Sequence, residues 1–173
     1  TEDRLRLLDT LLWKPNFLVL NERSQVAVPK MFFPESMTPT TLGLARIWSE
    51  LCKFVLIQIQ TFKVFGIGFC FAEDASAMHT VDDGIDWLLL NPYRDPRDPS
   101  KGIWRAKNEK DLAMLYALAI HECTHLQGEV YHDKDFAYLM TANVGKCTSG
   151  WKDAKRIVAT IPIYGQVKKS KKE

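Results

Sequence analysis

The sequence predicts an α+β domain in which a small antiparallel β-sheet packs on one long apolar helix and its neighbours. Three observations carry this. Aromatic and β-branched runs at 62–71, 75–81 and 85–90 are separated by loop and turn signals. A helix is bracketed by Asn108, a cap residue, and by Gly128, a stop. A second helix is expected near 40–59, where Leu44, Ile47, Trp48, Leu51, Phe54 and Val55 recur at helical spacing.

Taken in order, Leu5, Leu8, Leu11 and Leu12 predict a short amphipathic helix over 3–13, ended by Pro15. FLVL (17–20) and QVAV (25–28), separated by Asn21 to Ser24, predict a hairpin. Thr38-Pro39 opens the helix near 40–59 as cap and first-turn proline, although FVLIQIQTF at its end also suits a strand. Asp82-Asp83-Gly84 turns the run near 75–81 into IDWLLL (85–90), which predicts a meander. DPRDPSKG (95–102) is a loop. No charged residue occurs from Leu112 to Ile120, so the next helix is expected to be buried on both sides, with Leu112, Leu115, Ala119, Cys123 and Leu126 on its core face. A helix near 133–145 would turn Phe136, Leu139, Met140 and Val144 inward. The chain divides into an N-terminal extension (1–36), a main domain (37–150) and a C-terminal segment (151–173) with a short apolar run, Ile157–Ile163, and a basic tail.

Composition narrows the class. The chain has 173 residues, enough for one domain with a real core, and its net charge of +2 implies no polyanion partner by itself. Cys52, Cys70, Cys123 and Cys147 are widely spaced without a CxxC pair, which argues against a disulfide framework or a zinc ribbon. A reducing compartment is expected, cytoplasmic or, in a eukaryote, nuclear. No apolar stretch is long enough to span a bilayer, and the first residues lack the order of a signal peptide. The chain opens on Thr1 rather than Met, which leaves room for processing or for a companion domain that delivers the substrate. Gly66-Ile67-Gly68 lacks the third glycine and following helix of a phosphate loop.

The chemistry concentrates in His121-Glu122-Cys123-Thr124-His125. On a helix, residues four apart lie one turn along the same face, so His121 and His125 can reach one metal ion. Glu122 sits beside that ion without ligating it. A catalytic zinc takes three protein ligands and keeps one open position. The remaining histidines are His79 and His132, and no glutamate lies between Glu129 and Glu173. His132 is the expected third ligand, seven residues beyond His125 with Gly128 letting the chain double back. Asp133 and Asp135 are the runners-up. Two buried imidazoles and a carboxylate are costly to leave without partners, which weighs against a plain pair of core histidines.

HECTHLQGEVYHDKDFAYLM, from His121 to Met140, resembles the active-site region of small gluzincin-like metallopeptidases of the SprT-like and WLM (Spartan-related) families. The matching positions are His121, Glu122, His125, Gly128, His132 and Phe136. IDWLLLNP looks like the hairpin those families place before the zinc helix. The metzincin motif opens the same way but has its third histidine at the position of Tyr131 here. The resemblance covers roughly residues 40–145 and implies a zincin-like fold, a Zn2+ cofactor and hydrolysis of peptide bonds. Zinc held by His121, His125 and His132 would activate water, and Glu122 would act as general base and acid. Tyr131, Tyr138 and His79 are the candidate oxyanion donors. The implied substrate is a flexible or unfolded protein segment. Association with DNA follows from the same resemblance, supported weakly by Lys168, Lys169, Lys171 and Lys172, which otherwise read as a solvated tail. The alternative is a catalytically silent zinc-binding protein-interaction domain of a larger protein. Retention of Glu122 argues against it, since a structural site gains nothing from a base.

Overall fold

The computed structural model describes residues 17–23, 25–128 and 131–161. The helix expected over 3–13 and the lysine-rich tail fall outside the described residues. The architecture is α+β, with a four-stranded sheet and four α-helices among the described residues.

Strand β1 (Phe17–Asn21) leads through two short 3-10 turns, Lys30–Phe32 and Pro34–Ser36, to helix α1 (Pro39–Gln58). The start of α1 follows from its sequence. The Thr41 N–H donates to the Thr38 hydroxyl oxygen (3.3 Å), the Thr38 N–H donates to that of Thr41 (3.0 Å), and Pro39 occupies the first turn. The end has no glycine to announce it. Gln60 itself takes the left-handed conformation (φ 55°), and the Thr61 N–H reaches back to the Leu56 carbonyl at 3.0 Å.

β2 (Phe65–Phe71), β3 (Ala77–Asp82) and β4 (Ile85–Leu90) complete a sheet of order β1-β2-β4-β3. β1 and β4 both run parallel to β2, and only β3 is antiparallel to its neighbour β4. The expected antiparallel meander is therefore corrected to a mixed sheet. Its cause lies in the strands themselves. β2 is buried at every position and β4 at all but Ile85, the near-continuous apolar pattern of strands covered on both faces. α1 supplies the crossover that parallel pairing of β1 with β2 requires.

The hairpin expected over 17–28 does not form, because residues 25–28 make no strand. Asn21 diverts the chain: its side-chain amide donates to the Val26 carbonyl (2.8 Å) and its oxygen accepts from the Arg23 N–H (2.9 Å).

One face of the sheet, with Phe65, Ile67, Phe69, Phe71, Leu88 and Leu90, packs on the helices. The other carries a smaller cluster of Cys70, Trp87 and Leu89. There the Trp87 ring lies over Gly66, and Gly68 abuts the Leu18 carbonyl, so neither position has room for a Cβ.

Helix α2 (Glu109–His125) buries Leu112, Leu115, Ala119 and Cys123, as its periodicity predicts. It is not buried on both sides, however: Met114 is 50% exposed and Ala117 is exposed. Helix α3 (Lys134–Thr148) buries Phe136, Asn143 and Cys147. Val144 points outward, and Asn143 takes the inward place, donating to the Thr124 hydroxyl (3.0 Å) and the Gln127 side-chain oxygen (2.9 Å). Helix α4 (Trp151–Ala159) lies within the segment read from sequence as a tail, and it buries Ala154 and Val158 against α1. All four cysteines are buried and unbridged. Among the described residues no helix is long and apolar enough to cross a membrane.

Candidate metal centre

α2 is set at both ends. The Asn108 side-chain oxygen accepts from the N–H groups of Lys110 (3.0 Å) and Asp111 (3.2 Å), and Gly128, at φ 97°, turns the chain after the last helical residue. His121 and His125 project from its final turn. The chain then doubles back and presents His132 just before α3, whose cap is Asp133. The Asp133 carboxylate accepts from the Phe136 N–H at 3.0 Å, a role that ties down the residue beside the ligand.

The three imidazoles converge. His132 Nε2 lies 3.0 Å from His121 Nε2 and 3.0 Å from His125 Nε2, and all three donor atoms fall within 4.8 Å of one another. Ligands of a tetrahedral ion at about 2.0–2.1 Å stand roughly 3.3 Å apart, close to this spacing. Hydrogen bonding alone accounts poorly for it, because a neutral imidazole has a single N–H to give. These three histidines can hold a metal ion. Neither Asp133 nor Asp135 belongs to the cluster.

Charge fits the same reading. Burial first, then the neighbouring His125 and His132, hold His121 down at about 4, so its imidazole is neutral at pH 7 with a lone pair to offer. Glu122 is 3% exposed and burial pushes it up to about 8. Its Oε1 lies 4.0 Å from His121 Nε2, while its Oε2 is buried with no hydrogen-bond partner. A cation at the triad would satisfy that orphan and favour the ionised form.

Aromatic rings pack against the three histidines. Phe136 lies 5.0, 4.5 and 4.9 Å from the ring centroids of His121, His125 and His132. His79, on β3, stacks on His125 at 5.5 Å with an interplanar angle of 12°. His79 Nε2 is paired with Asp86 Oδ1 at 2.7 Å, and Lys63 Nζ meets Asp86 Oδ2 at 2.9 Å. Burial raises the Asp86 carboxyl, but the bonds from His79 and Lys63 outweigh it and leave the group below its ordinary range.

A cleft of about 620 Å³ holds the triad and Glu122. One wall is α2, with Met114, Ala117 and Leu118. The other is residues 74–79, the start of β3, which is an edge strand. Of the three candidate oxyanion donors, His79 lines this cleft. Tyr131 and Tyr138 are 78% and 76% exposed and do not line it. Sequence reasoning did not anticipate the partnership of Asp86 with His79. The available signal was a single carboxylate inside the otherwise apolar run IDWLLL. Asn143, which ties α3 to α2, carried no comparable signal. No protein-family model, curated protein or solved structure matches the chain.

Proposed function

We propose that this protein is a zinc-dependent endopeptidase of the small-zincin type that cuts flexible or unfolded polypeptide segments. The observation that carries the reading is the pairing of a three-histidine cluster with Glu122, a buried carboxylate whose Oε2 has no hydrogen-bond partner. His121, His125 and His132 supply three nitrogen donors, the set a catalytic zinc takes while one position stays open. When bound, zinc supplies Lewis acidity toward a carbonyl oxygen and toward water.

Glu122 takes the proton of the attacking water and hands it to the leaving amine. Burial gives its carboxyl a proton affinity far above that of an exposed glutamate, and a bound cation brings this back toward the range a base needs at pH 7. Phe136 and His79 pack against the imidazole rings and restrict their orientation. β3 is an edge strand of the sheet among the described residues and its start lines the cleft, so an extended substrate can add to it through main-chain hydrogen bonds. Such binding demands a segment free of its own structure. A silent binding domain would have no use for Glu122 in this position.

The test is elemental analysis of the purified protein, followed by cleavage mapping on an unfolded substrate. One zinc per chain and cutting that a chelator abolishes are expected. Absence of zinc, or cutting indifferent to chelator, would overturn the proposal.

A further inference from the structure

α2 carries an apolar stripe that no other element among the described residues fully covers. Met114, Ala117 and Leu118 are spaced three and four residues apart, and the same row continues to His121 one turn further on. Met114 is 50% exposed, Ala117 is exposed and Leu118 is half-buried, while the opposite face of the helix fills the core. Scattered exposed apolar residues are ordinary on a protein surface. Here the position is what matters. The stripe is continuous with the histidine cluster on one wall of one cleft, and the facing wall leads into β3, an edge strand of the sheet among the described residues. Among the described residues that line the cleft, Asp74 and Glu122 are the carboxylates, and there is no lysine or arginine.

We propose that Met114, Ala117 and Leu118 form the subsite that receives an aliphatic or aromatic side chain of an extended polypeptide, and so set residue preference beside the cut. The inference rests on the peptidase reading above. In an extended chain every second side chain falls on the same side, about 6.6–6.8 Å apart. Along α2, at about 1.5 Å per residue, Leu118 and Met114 stand roughly 4.5 and 10.5 Å from His121. A chain that follows the cleft with its scissile carbonyl at the histidines drops the side chain two residues away between Leu118 and Met114. Methionine is unbranched and polarizable and adapts to varied apolar shapes. The preference is accordingly for a class (Leu, Met, Ile, Phe) rather than for one residue.

The experiment uses unstructured host peptides with Leu, Met, Ser, Asp or Lys at a guest position. Binding to the metal-loaded Glu122→Gln protein is measured by fluorescence anisotropy, and cleavage by the wild type is mapped by mass spectrometry. Leu and Met guests should bind and be cut about tenfold better than Ser or Asp, the scale of burying part of one apolar side chain. Met114→Lys should erase that advantage and favour Asp guests, with metal content and Tm held at wild-type values because the position is half-exposed. Ala117→Glu, also on the exposed stripe, should erase the same advantage and favour Lys guests. Equal cutting of all guests would overturn the subsite and leave the peptidase reading standing. Binding of Leu guests that depends on Met114, without any cleavage, would support the subsite and sink the peptidase reading. No binding and no cleavage of any guest would defeat both.

Discussion

Removing the metal should expose a pH-dependent weakness whose source is Glu122. Burial pushes its carboxyl up to about 8 from the ordinary 4.5. A group whose folded pKa is raised binds more protons folded than unfolded, so stability is fullest below 4.5 and is lost as pH rises toward 8. The slope is about 1.4 kcal/mol per pH unit inside that window, or on the order of 3–5 kcal/mol across it. His121 works in the opposite direction: held at about 4, it costs stability as pH falls from 6.5 toward 4. Above pH 6.5 the Glu122 slope therefore stands alone of the two. Between pH 6.5 and 8 the metal-free protein should lose about 2 kcal/mol, roughly 4–8 °C in Tm for a chain of this size. The assay is thermal unfolding of chelator-treated wild type and Glu122→Gln across pH 5–9, with metal-loaded protein alongside. Glu122→Gln should flatten the alkaline limb, and metal should do the same in the wild type by stabilising the ionised carboxylate. Parallel pH profiles for wild type and Glu122→Gln without metal would refute the reasoning.

Other outcomes follow from the same geometry. His132→Ala should weaken zinc binding by about 10²–10³-fold, since about 10–16 kcal/mol shared among four ligands of a structural site is roughly 2.5–4 kcal/mol per ligand. His79→Ala, which removes a stacked ring and no ligand, should stay within about tenfold of wild type, with both read by competition against a chromogenic chelator. A stable folded protein should resist cleavage while its reduced, unfolded form is cut at many sites, and equal cutting of both at one strict sequence would contradict recognition through the main chain of an extended segment. Gly68→Ala should cost about 2–3 kcal/mol in denaturant unfolding, because its Cβ would overlap the Leu18 carbonyl. Gly145→Ala, in the interior of α3 with open space around it, should instead gain about 0.5–1 kcal/mol.

What could be read from sequence was local. The cap at Asn108, the stop at Gly128 and the i, i+4 histidines all fall within a few turns of one helix, so α2 and two of the three clustered histidines were legible, and His132 followed because few donors remained. Thr38-Pro39 announced α1, whereas its end was ambiguous because a glutamine, not a glycine, occupies the left-handed position. Strand existence was legible for β1 to β4, and so was the antiparallel β3–β4 pair through the Asp82-Asp83-Gly84 turn, but the parallel pairings of β2 with β1 and β4 were not. Whether IDWLLL lies beside FGIGFCF depends on which element covers each face, a property of the tertiary fold. The unbroken apolar character of both runs was the overlooked hint of parallel, doubly covered strands. The apolar run Ile157–Ile163 does not announce α4, although Trp151, Ala154 and Val158 stand at helical spacing. Asp86 and Asn143 act through partners 7 to 23 residues distant in sequence, Lys63 and His79 for one and Thr124 and Gln127 for the other, and no local pattern encodes such contacts.

The proposed function requires that zinc at His121, His125 and His132 and the carboxylate of Glu122 act together on the peptide bond. The most direct measurement is a zinc titration of metal-free protein, wild type and Glu122→Gln, against an unfolded fluorogenic substrate. Wild-type cleavage should rise linearly and saturate at one zinc per chain. Glu122→Gln should bind the same single zinc yet turn over about 10²–10⁴-fold more slowly, the usual contribution of a general acid–base group. Zinc-saturated Glu122→Gln that cleaves at the wild-type rate, or wild-type activity indifferent to zinc, would contradict the account.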